Sequence, residues 1–325
     1  MKKVLSLSLI LVLCVVILTG CNYDGKITQE NAPEPKPTST STPTSNSDPT
    51  IEEDLAYPMQ FTDDRGNVTT FEKEPERVIS LSPNITEVIY ALGQGEKLVG
   101  RTAFCDYPQD VQSAVVVGDF IEWNFETILS LEPDVVFASS LNTEENEKKL
   151  KDLGINIVYL TQTESFDSAY EIIGMTGRVL NAEEESKQII EDMKQRVAAV
   201  VDAVKGADRP SVYYVVGYGE YGDYTATGET FVASLLDMAG GDNIAADITG
   251  WVYSLEKLME EDPYFILCSE EAKTAFQQTN GYKELTAVKE GRIYAIDDNI
   301  IVRQGPRLAM GLEEIAKILH PECFD

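Results

Sequence analysis

The stretch Phe125-Glu126-Thr127-Ile128-Leu129-Ser130-Leu131-Glu132-Pro133-Asp134-Val135-Val136-Phe137-Ala138-Ser139 lines up without a gap on Leu255-Glu256-Lys257-Leu258-Met259-Glu260-Glu261-Asp262-Pro263-Tyr264-Phe265-Ile266-Leu267-Cys268-Ser269. Glu126 pairs with Glu256, Pro133 with Pro263 and Ser139 with Ser269, so 256 − 126, 263 − 133 and 269 − 139 each give 130. In both copies a short amphipathic run stops before a proline and gives way to an apolar strand. Proline suits that boundary because it cannot continue a helix and pushes the residue before it toward extended backbone. A helix–proline–strand turn can recur by chance in an α/β protein, but here several positions besides the proline match at one offset. Two lobes of like construction follow, and a cleft between lobes is a usual place to hold a small molecule.

Working outward, the chain opens with Lys2 and Lys3, an apolar core from Val4 to Leu18, and then Leu18-Thr19-Gly20-Cys21. A basic start, an apolar stretch and small residues before a cut site make a secretory signal rather than a spanning helix. The cysteine directly after Gly20 resembles a bacterial lipoprotein signal, which implies that Cys21 carries lipid at the mature N-terminus. From Asn22 to Thr50, Pro33, Pro35, Pro37, Pro43 and Pro49 alternate with Ser and Thr, and almost nothing is apolar. Such a segment cannot bury enough surface to offset its ordering entropy, so an extended tether is expected.

The chain holds 26 basic and 55 acidic residues, a formal net charge of −29. That balance argues against nucleic acid, which demands a basic footprint. It leaves room for an anionic ligand in a locally basic cleft. Cys105, Cys268 and Cys323 follow Cys21, an odd number, so at least one thiol stays free or pairs between chains. Cys268 sits inside the second repeat strand and reads as a buried small apolar residue. No CxxC or comparable ligand spacing occurs, and His320 is the one histidine, so a zinc site of several histidines is excluded and no metal site is predicted.

In the body, Met59–Phe61 and Val68–Phe71 flank Asp63-Asp64-Arg65-Gly66-Asn67 and read as a hairpin. Arg77–Leu81 reads as a strand, and Ser82-Pro83-Asn84-Ile85-Thr86-Glu87 opens a helix to Leu92, with Ser or Asn as cap and Pro and Glu in the first turn. Strands are expected at Val115–Val117, Ile155–Leu160, Ser211–Val216 and Arg292–Ile296, with helices at Phe231–Met238 and Pro306–Leu319. Phe166–Gly206 is helical in pattern with a break at Asn181. Within it, Ala182–Lys205 has no Gly or Pro and sets Ile189, Ile190, Met193, Val197, Val200, Val201 and Val204 at helical spacing. Twenty-four residues would make a rod of about 36 Å, long enough to bridge two lobes.

Arg77-Val78-Ile79-Ser80-Leu81-Ser82-Pro83, Asp106-Tyr107-Pro108, Leu131-Glu132-Pro133-Asp134-Val135-Val136 and Arg303-Gln304-Gly305-Pro306-Arg307 together resemble the binding proteins of ATP-driven importers for cobalamin, siderophores and haem. The resemblance covers about residues 58–321 and is greatest to the cobalamin-binding branch, through Thr102-Ala103-Phe104-Cys105-Asp106-Tyr107-Pro108. It implies an α/β fold class: two lobes, each a central sheet flanked by helices, joined by one long rigid helix with the ligand cleft between them. The resulting organisation is a signal peptide (1–20), the lipidated cysteine and tether (21–56), an N-terminal lobe (57–181), a connecting helix (182–206) and a C-terminal lobe (207–325).

The resemblance also implies site residues. Phe104, Phe120 and Trp251 would face the corrinoid, with Arg303 near the rim of the second lobe and Tyr107 beside them. Phe120 stands where a cobalamin-binding relative has tryptophan. A cysteine pair of that relative is replaced by Ala239 and Ala316, so its disulfide is not expected here. From the residues alone, Tyr218, Tyr221 and Tyr224 lie among glycines after a strand, where an aromatic ring and hydroxyl can serve a flat ligand; packing tyrosines in a surface loop is the plain alternative. Trp123 beside Asn124 reads as cleft or docking surface. Glu126 and Glu256 each begin a repeat helix, where a carboxylate is favoured by free amides and the helix dipole. The resemblance adds that one acid per lobe meets arginines of a two-fold membrane permease.

The expected function is capture of a corrinoid, cobalamin first, and delivery to an ABC-type importer, with no catalysis and no cofactor of the protein's own. A ferric siderophore or haem is the alternative cargo: anionic chelates would use Arg101, Arg303 and Arg307, and haem would need an axial tyrosine or histidine. A secreted thiol hydrolase would have to pair Cys105 with His320 on distant segments, with no supporting motif.

Overall fold

The computed structural model describes residues 57–140, 142–161 and 163–324; the signal sequence, Cys21 and the tether lie outside them. The described chain starts with the expected hairpin, β1 (Met59–Thr62) and antiparallel β2 (Val68–Phe71). Asp63 organises its turn, accepting from the amides of Arg65 and Asn67 and from the distant amide of Tyr159.

Next come β3 (Val78–Ser80), α1 (Pro83–Ala91), β4 (Leu98–Arg101), β5 (Val115–Val116), α2 (Phe125–Ser130), β6 (Val135–Ser139), α3 (Glu144–Asp152), β7 (Ile157–Leu160) and α4 (Phe166–Val179). The five strands from β3 to β7 form one parallel sheet in the order β5-β4-β3-β6-β7. After α5 (Glu183–Ala203) follow β8 (Ser211–Gly217), β9 (Tyr224–Thr225), α6 (Phe231–Met238), β10 (Asp242–Asn243), α7 (Leu255–Glu261), β11 (Phe265–Cys268), α8 (Glu270–Gln278), α9 (Thr286–Lys289), β12 (Ile293–Ala295), α10 (Asn299–Val302) and α11 (Leu308–Leu319). The second sheet is parallel in the order β10-β8-β11-β12, with β9 antiparallel on β8.

Strand side chains alternate between two cores, as a period of two requires. In β6, Val135 and Phe137 join one cluster while Val136 and Ala138 join another. In β11, Phe265 and Leu267 face that same first cluster, and Ile266 and Cys268 face the far side. The shared cluster also takes Met193 and Val200 of α5, so a continuous core runs from one sheet to the other beneath that helix. Sheets covered on both faces explain the near-unbroken apolar strands.

The internal repeat extends beyond the matched letters. Ile128 and Leu258 are both fully buried, and Leu129 and Met259 are both exposed. Glu132 and Asp262, again 130 apart, both adopt left-handed backbone (φ 45 and 40) just before their prolines. Each helix is capped alike, Asn124 accepting from the Thr127 amide and Ser254 from the Lys257 amide. The alternation of exposed and buried positions is identical from 121–130 to 251–260.

α5 has 21 residues, about 31 Å of helix, shorter than the sequence span at both ends. Asn181 makes the predicted break with left-handed backbone (φ 56), its side-chain Nδ2 donating to the Glu74 carboxylate. α5 lies against α4 of the first lobe and α11 of the second. Ser82 occupies the expected N-cap of α1, but its hydroxyl bonds Asn84 rather than a helix amide. β4, α3, β9, β10, α8, α9 and α10 fall where the sequence pattern predicts no element. β4 is short and broken by Gly100, and α3 (Glu-Glu-Asn-Glu-Lys-Lys-Leu-Lys-Asp) is too polar to show an apolar stripe.

Candidate functional site

Loops that can meet a ligand sit at the carboxyl ends of parallel strands, where the strand order reverses. That reversal falls between β3 and β6 in the first sheet and between β8 and β11 in the second. Phe104 follows β4, Phe120 follows β5, Tyr218 follows β8, Trp251 follows β10 and Arg303 follows β12. Phe104, Phe120, Tyr218 and Trp251 thus stand on loops that leave the carboxyl ends of strands, while Arg303 closes α10, the helix after β12.

In the first lobe the loops after β4 and β5 are tied together. The Ala103 amide bonds the Gly118 carbonyl, and Gly118 bridges Trp123. Gly118 has φ 133, and a Cβ there would stand 2.1 Å from the Glu122 carbonyl, so the close approach requires glycine. Asn142 and Asn146 donate to the carbonyls of Phe120 and Ile121. The consequence is a stacked pair: the rings of Phe104 and Phe120 lie 4.5 Å apart and 2° from parallel. Phe104 is 50% exposed, so the pair presents one open aromatic face.

The second lobe offers a matching edge. Tyr224 bridges Val252, the Thr225 amide bonds the Trp251 carbonyl, and the Tyr253 amide bonds the Asp223 carbonyl. These contacts join the loops carrying Tyr218, Tyr224 and Trp251. Trp251 is 41% exposed on left-handed backbone (φ 68), a conformation that costs a non-glycine residue about 1–3 kcal/mol. Tyr218 packs edge-on against Phe276 and Tyr282, and it lines a groove of about 430 Å³ with Tyr224 and Thr279.

Three expectations need correction. Trp123 is only 7% exposed, packed among Ile79, Val117 and Ile128, and has no open face for a ligand. The repeat explains it: Trp123 is the counterpart of Tyr253, the buried residue two positions after Trp251. Arg303 is not a free rim cation, because its guanidinium bonds Glu87 at 2.9 Å and Asp106 at 2.7 Å. Tyr107 is half exposed but lies beneath Arg307, 4.0 Å from ring centre to guanidinium carbon. It borders a cavity of about 630 Å³ between α1, α5 and α11, walled by Glu87, Pro108, Met193, Arg196 and Arg307. Phe104, Phe120 and Trp251 do not line that space.

The residue that sequence reading missed is Glu87. On α1 of the first lobe, 3% exposed, it accepts from Arg303 and, through both oxygens, from Arg307 of the second lobe at 2.8 and 2.7 Å. Asn84 donates to the Gln304 carbonyl alongside, and Arg307 also faces Asp297 at 3.6 Å. This is a clasp between lobes. The Arg303 hydrogen bond holds the Asp106 carboxyl below its ordinary range against the pull of partial burial. Burial would lower both arginines, yet their carboxylate partners leave them raised. Arg101 is committed too, donating to the carbonyls of Thr102, Cys105 and Val111 and to Gln112.

Glu126 and Glu256 are both exposed in the first turns of α2 and α7, helices that begin at the strand ends that carry the aromatics. Cys105 is buried between the hydroxyls of Thr86 and Thr102, and burial pushes its thiol up. His320 is buried in the other lobe against the Gly240 carbonyl. The thiol–imidazole pairing of a hydrolase is therefore not made. Cys105, Cys268 and Cys323 are all free thiols.

Comparison with known proteins agrees with this architecture. A family model described as periplasmic binding protein matches residues 78–300. An uncharacterized ABC transporter substrate-binding lipoprotein, YvrC of Bacillus subtilis, is 34% identical over 275 residues, covering 82% of this chain and 87% of that one. A cobalamin-binding protein of Halobacterium salinarum is 29% identical over 280 residues, covering 82% of this chain and 75% of its own length. Among solved structures, the periplasmic heme-binding protein RhuT of Roseiflexus superimposes with a TM-score of 0.68 at 25% identity, covering 76% of this chain and 99% of that one. The chain belongs to the periplasmic binding protein family, the substrate-binding proteins of ABC importers, which hold their cargo without catalysing a reaction on it.

Proposed function

We propose that this chain captures a corrinoid, with cobalamin the first to test, and delivers it to the permease of an ABC importer. The observation that carries the choice of cargo is the commitment of Arg101, Arg303 and Arg307 to partners within the chain. Two guanidinium groups at the clasp meet three carboxylates (Glu87, Asp106 and Asp297), which leaves no local positive excess for an anionic chelate. Phe104 on Phe120 and, from the other lobe, Trp251 offer open rings, which suit a large flat ligand with a neutral amide rim. The cobalamin-binding relative supports the same reading. Haem is the second reading, and Tyr224 is what favours it, an exposed phenol on the loop bridged to that of Trp251 and able to serve as an axial ligand.

In this reading Cys21 carries the lipid that anchors the protein outside the cytoplasmic membrane, and the tether lets the body reach the permease. Among the described residues no helix is long and apolar enough to cross a membrane. Glu126 and Glu256 dock onto the two halves of the permease, and α5 with the Glu87 clasp keeps lobe closure small. The deciding experiment is the visible spectrum of the purified protein after incubation with cobalamin, haem and ferric chelates followed by gel filtration. Co-elution of the corrinoid bands supports the proposal. Co-elution of haem with loss of binding in Tyr224→Phe replaces it with the second reading, and retention of a ferric chelate alone overturns both.

A further inference from the structure

The chain ends in a short turn that brings three unlike donor groups together. Pro321–Cys323 is a single 3-10 turn closed by the Cys323 amide on the His320 carbonyl at 3.0 Å. The bond holds His320, the residue that caps the turn, close to Cys323, its last residue. A ring nitrogen of His320, the Cys323 Sγ and a carboxylate oxygen of Glu322 all lie within 4.8 Å of one another. Nδ1 stands 3.6 Å from Glu322 Oε1, and Sγ stands 4.0 Å from that same oxygen.

A second observation fixes the imidazole. His320 is 1% exposed, and its Nε2 sits 3.1 Å from the Gly240 carbonyl, which can only accept. Nε2 must therefore carry the proton, and in the neutral ring Nδ1 then offers a lone pair toward Glu322 and Cys323. An imidazole whose outer nitrogen donates to a backbone carbonyl is how a metal-binding histidine is usually oriented. The corner between α6 and β10 is shaped for this contact. Gly240 has φ 80, and a Cβ there would stand 2.6 Å from Nε2. Any other residue would push the ring out of its seat.

We propose that His320, Glu322 and Cys323 form a binding site for a borderline-soft divalent transition-metal ion, with zinc as the representative. Nitrogen, thiolate and carboxylate are the donors zinc takes, with three protein ligands and a fourth position open to water. Ligand bonds of about 2.0–2.3 Å require only that the Glu322 and Cys323 side chains draw in by about 1 Å, and Glu322 is exposed enough to do so. Bound there, the ion fastens the C-terminal turn to the end of α11 and, through His320, to the α6–β10 corner. This is a structural fastening, separate from the ligand cleft.

The test uses chelator-treated full chain titrated with Co²⁺, followed by competition with Zn²⁺. A single equivalent of Co²⁺ should give a near-ultraviolet thiolate-to-cobalt band and tetrahedral visible bands, both lost on adding Zn²⁺. Cys323→Ser should abolish the thiolate band. Glu322→Gln should keep it with affinity lowered by at least the roughly 10–100-fold that even outer-shell changes cost. Both substitutions are at the surface turn and leave the buried His320 in place. Absence of a thiolate band, or a band unchanged in Cys323→Ser, overturns the site. So does equal Co²⁺ affinity in the parent and Glu322→Gln.

Discussion

Replacing Glu87 by Gln tests the clasp and the choice of cargo at once. The carboxylate receives three guanidinium hydrogen bonds at 2.7–2.9 Å from a position only 3% exposed. Hydrogen bonds to charged groups each contribute about 1.5–3 kcal/mol, and removing one partner of a buried ion pair costs about 3–5 kcal/mol. Gln keeps one acceptor, and Asp106 and Asp297 still face the arginines, so the loss belongs near the lower limit, about 3 kcal/mol. For a body of this size that is a fall in Tm of about 6–12 °C, at roughly 2–4 °C per kcal/mol. Thermal unfolding followed by circular dichroism measures it, with Glu126→Gln as an exposed control expected within about 0.5 kcal/mol of the parent. A loss under about 1 kcal/mol would refute the reasoning, because the lobes would then be held without the clasp. The same variant frees positive charge, so retention of an anionic ferric chelate should appear or strengthen while cobalamin affinity changes little. Unchanged chelate retention would mean that the arginines do not set cargo charge.

Trp251→Ala should weaken binding of the flat ligand by about 1–3 kcal/mol, by analogy with stacking on single aromatic faces, and isothermal titration would read it directly. Unchanged affinity places Trp251 outside the cleft. Glu126→Lys and Glu256→Lys should each leave ligand affinity intact and reduce uptake in cells, the double variant more than either single one; loss of ligand binding would assign the carboxylates to the cleft. Asp106, held below its ordinary range by Arg303, supplies stability that is complete above the unfolded carboxylate value of about 3.9 and disappears as pH falls through its lower folded value. Denaturant midpoints measured from pH 5 downward should therefore flatten in Asp106→Asn, and an unaltered acid limb would show that the contact carries no linkage.

Much of the fold was legible because it is written in local pattern. Prolines at 133 and 263 mark two helix-to-strand boundaries, and the glycine-free run before Lys205 marks α5, trimmed by three residues where Ala182, Val204 and Lys205 fall outside the helix. Phe104 and Trp251, which the resemblance gives as ligand-facing, both stand exposed. The clasp was not legible, because its strength comes from partners 216 and 220 positions apart, and Glu87 taken alone reads as an ordinary helix-start carboxylate. Trp123 was misread for the opposite reason. A tryptophan beside polar residues suggests a surface, yet the offset of 130 aligns it with the buried Tyr253, a signal present in the sequence once the repeat is extended backward.

That extension also separates two uses of one duplicated unit. At the first position of the shared pattern stand Ile121 and Trp251, both exposed; at the third, Trp123 and Tyr253, both buried; at the sixth, Glu126 and Glu256, both exposed. The buried pair anchors each loop to its lobe, with exposed residues on either side. In the second lobe the outer position is tryptophan, exposed on left-handed backbone. In the first lobe Phe120, one residue earlier, backs Phe104 and supplies the aromatic surface instead. The acids did not diverge. A binding protein can afford unlike cleft walls, because its ligand is asymmetric, but a two-fold permease presents the same surface twice. Divergence at 121 and 251 with identity at 126 and 256 is the pattern expected if the first pair of positions answers to the ligand and the second to the membrane partner.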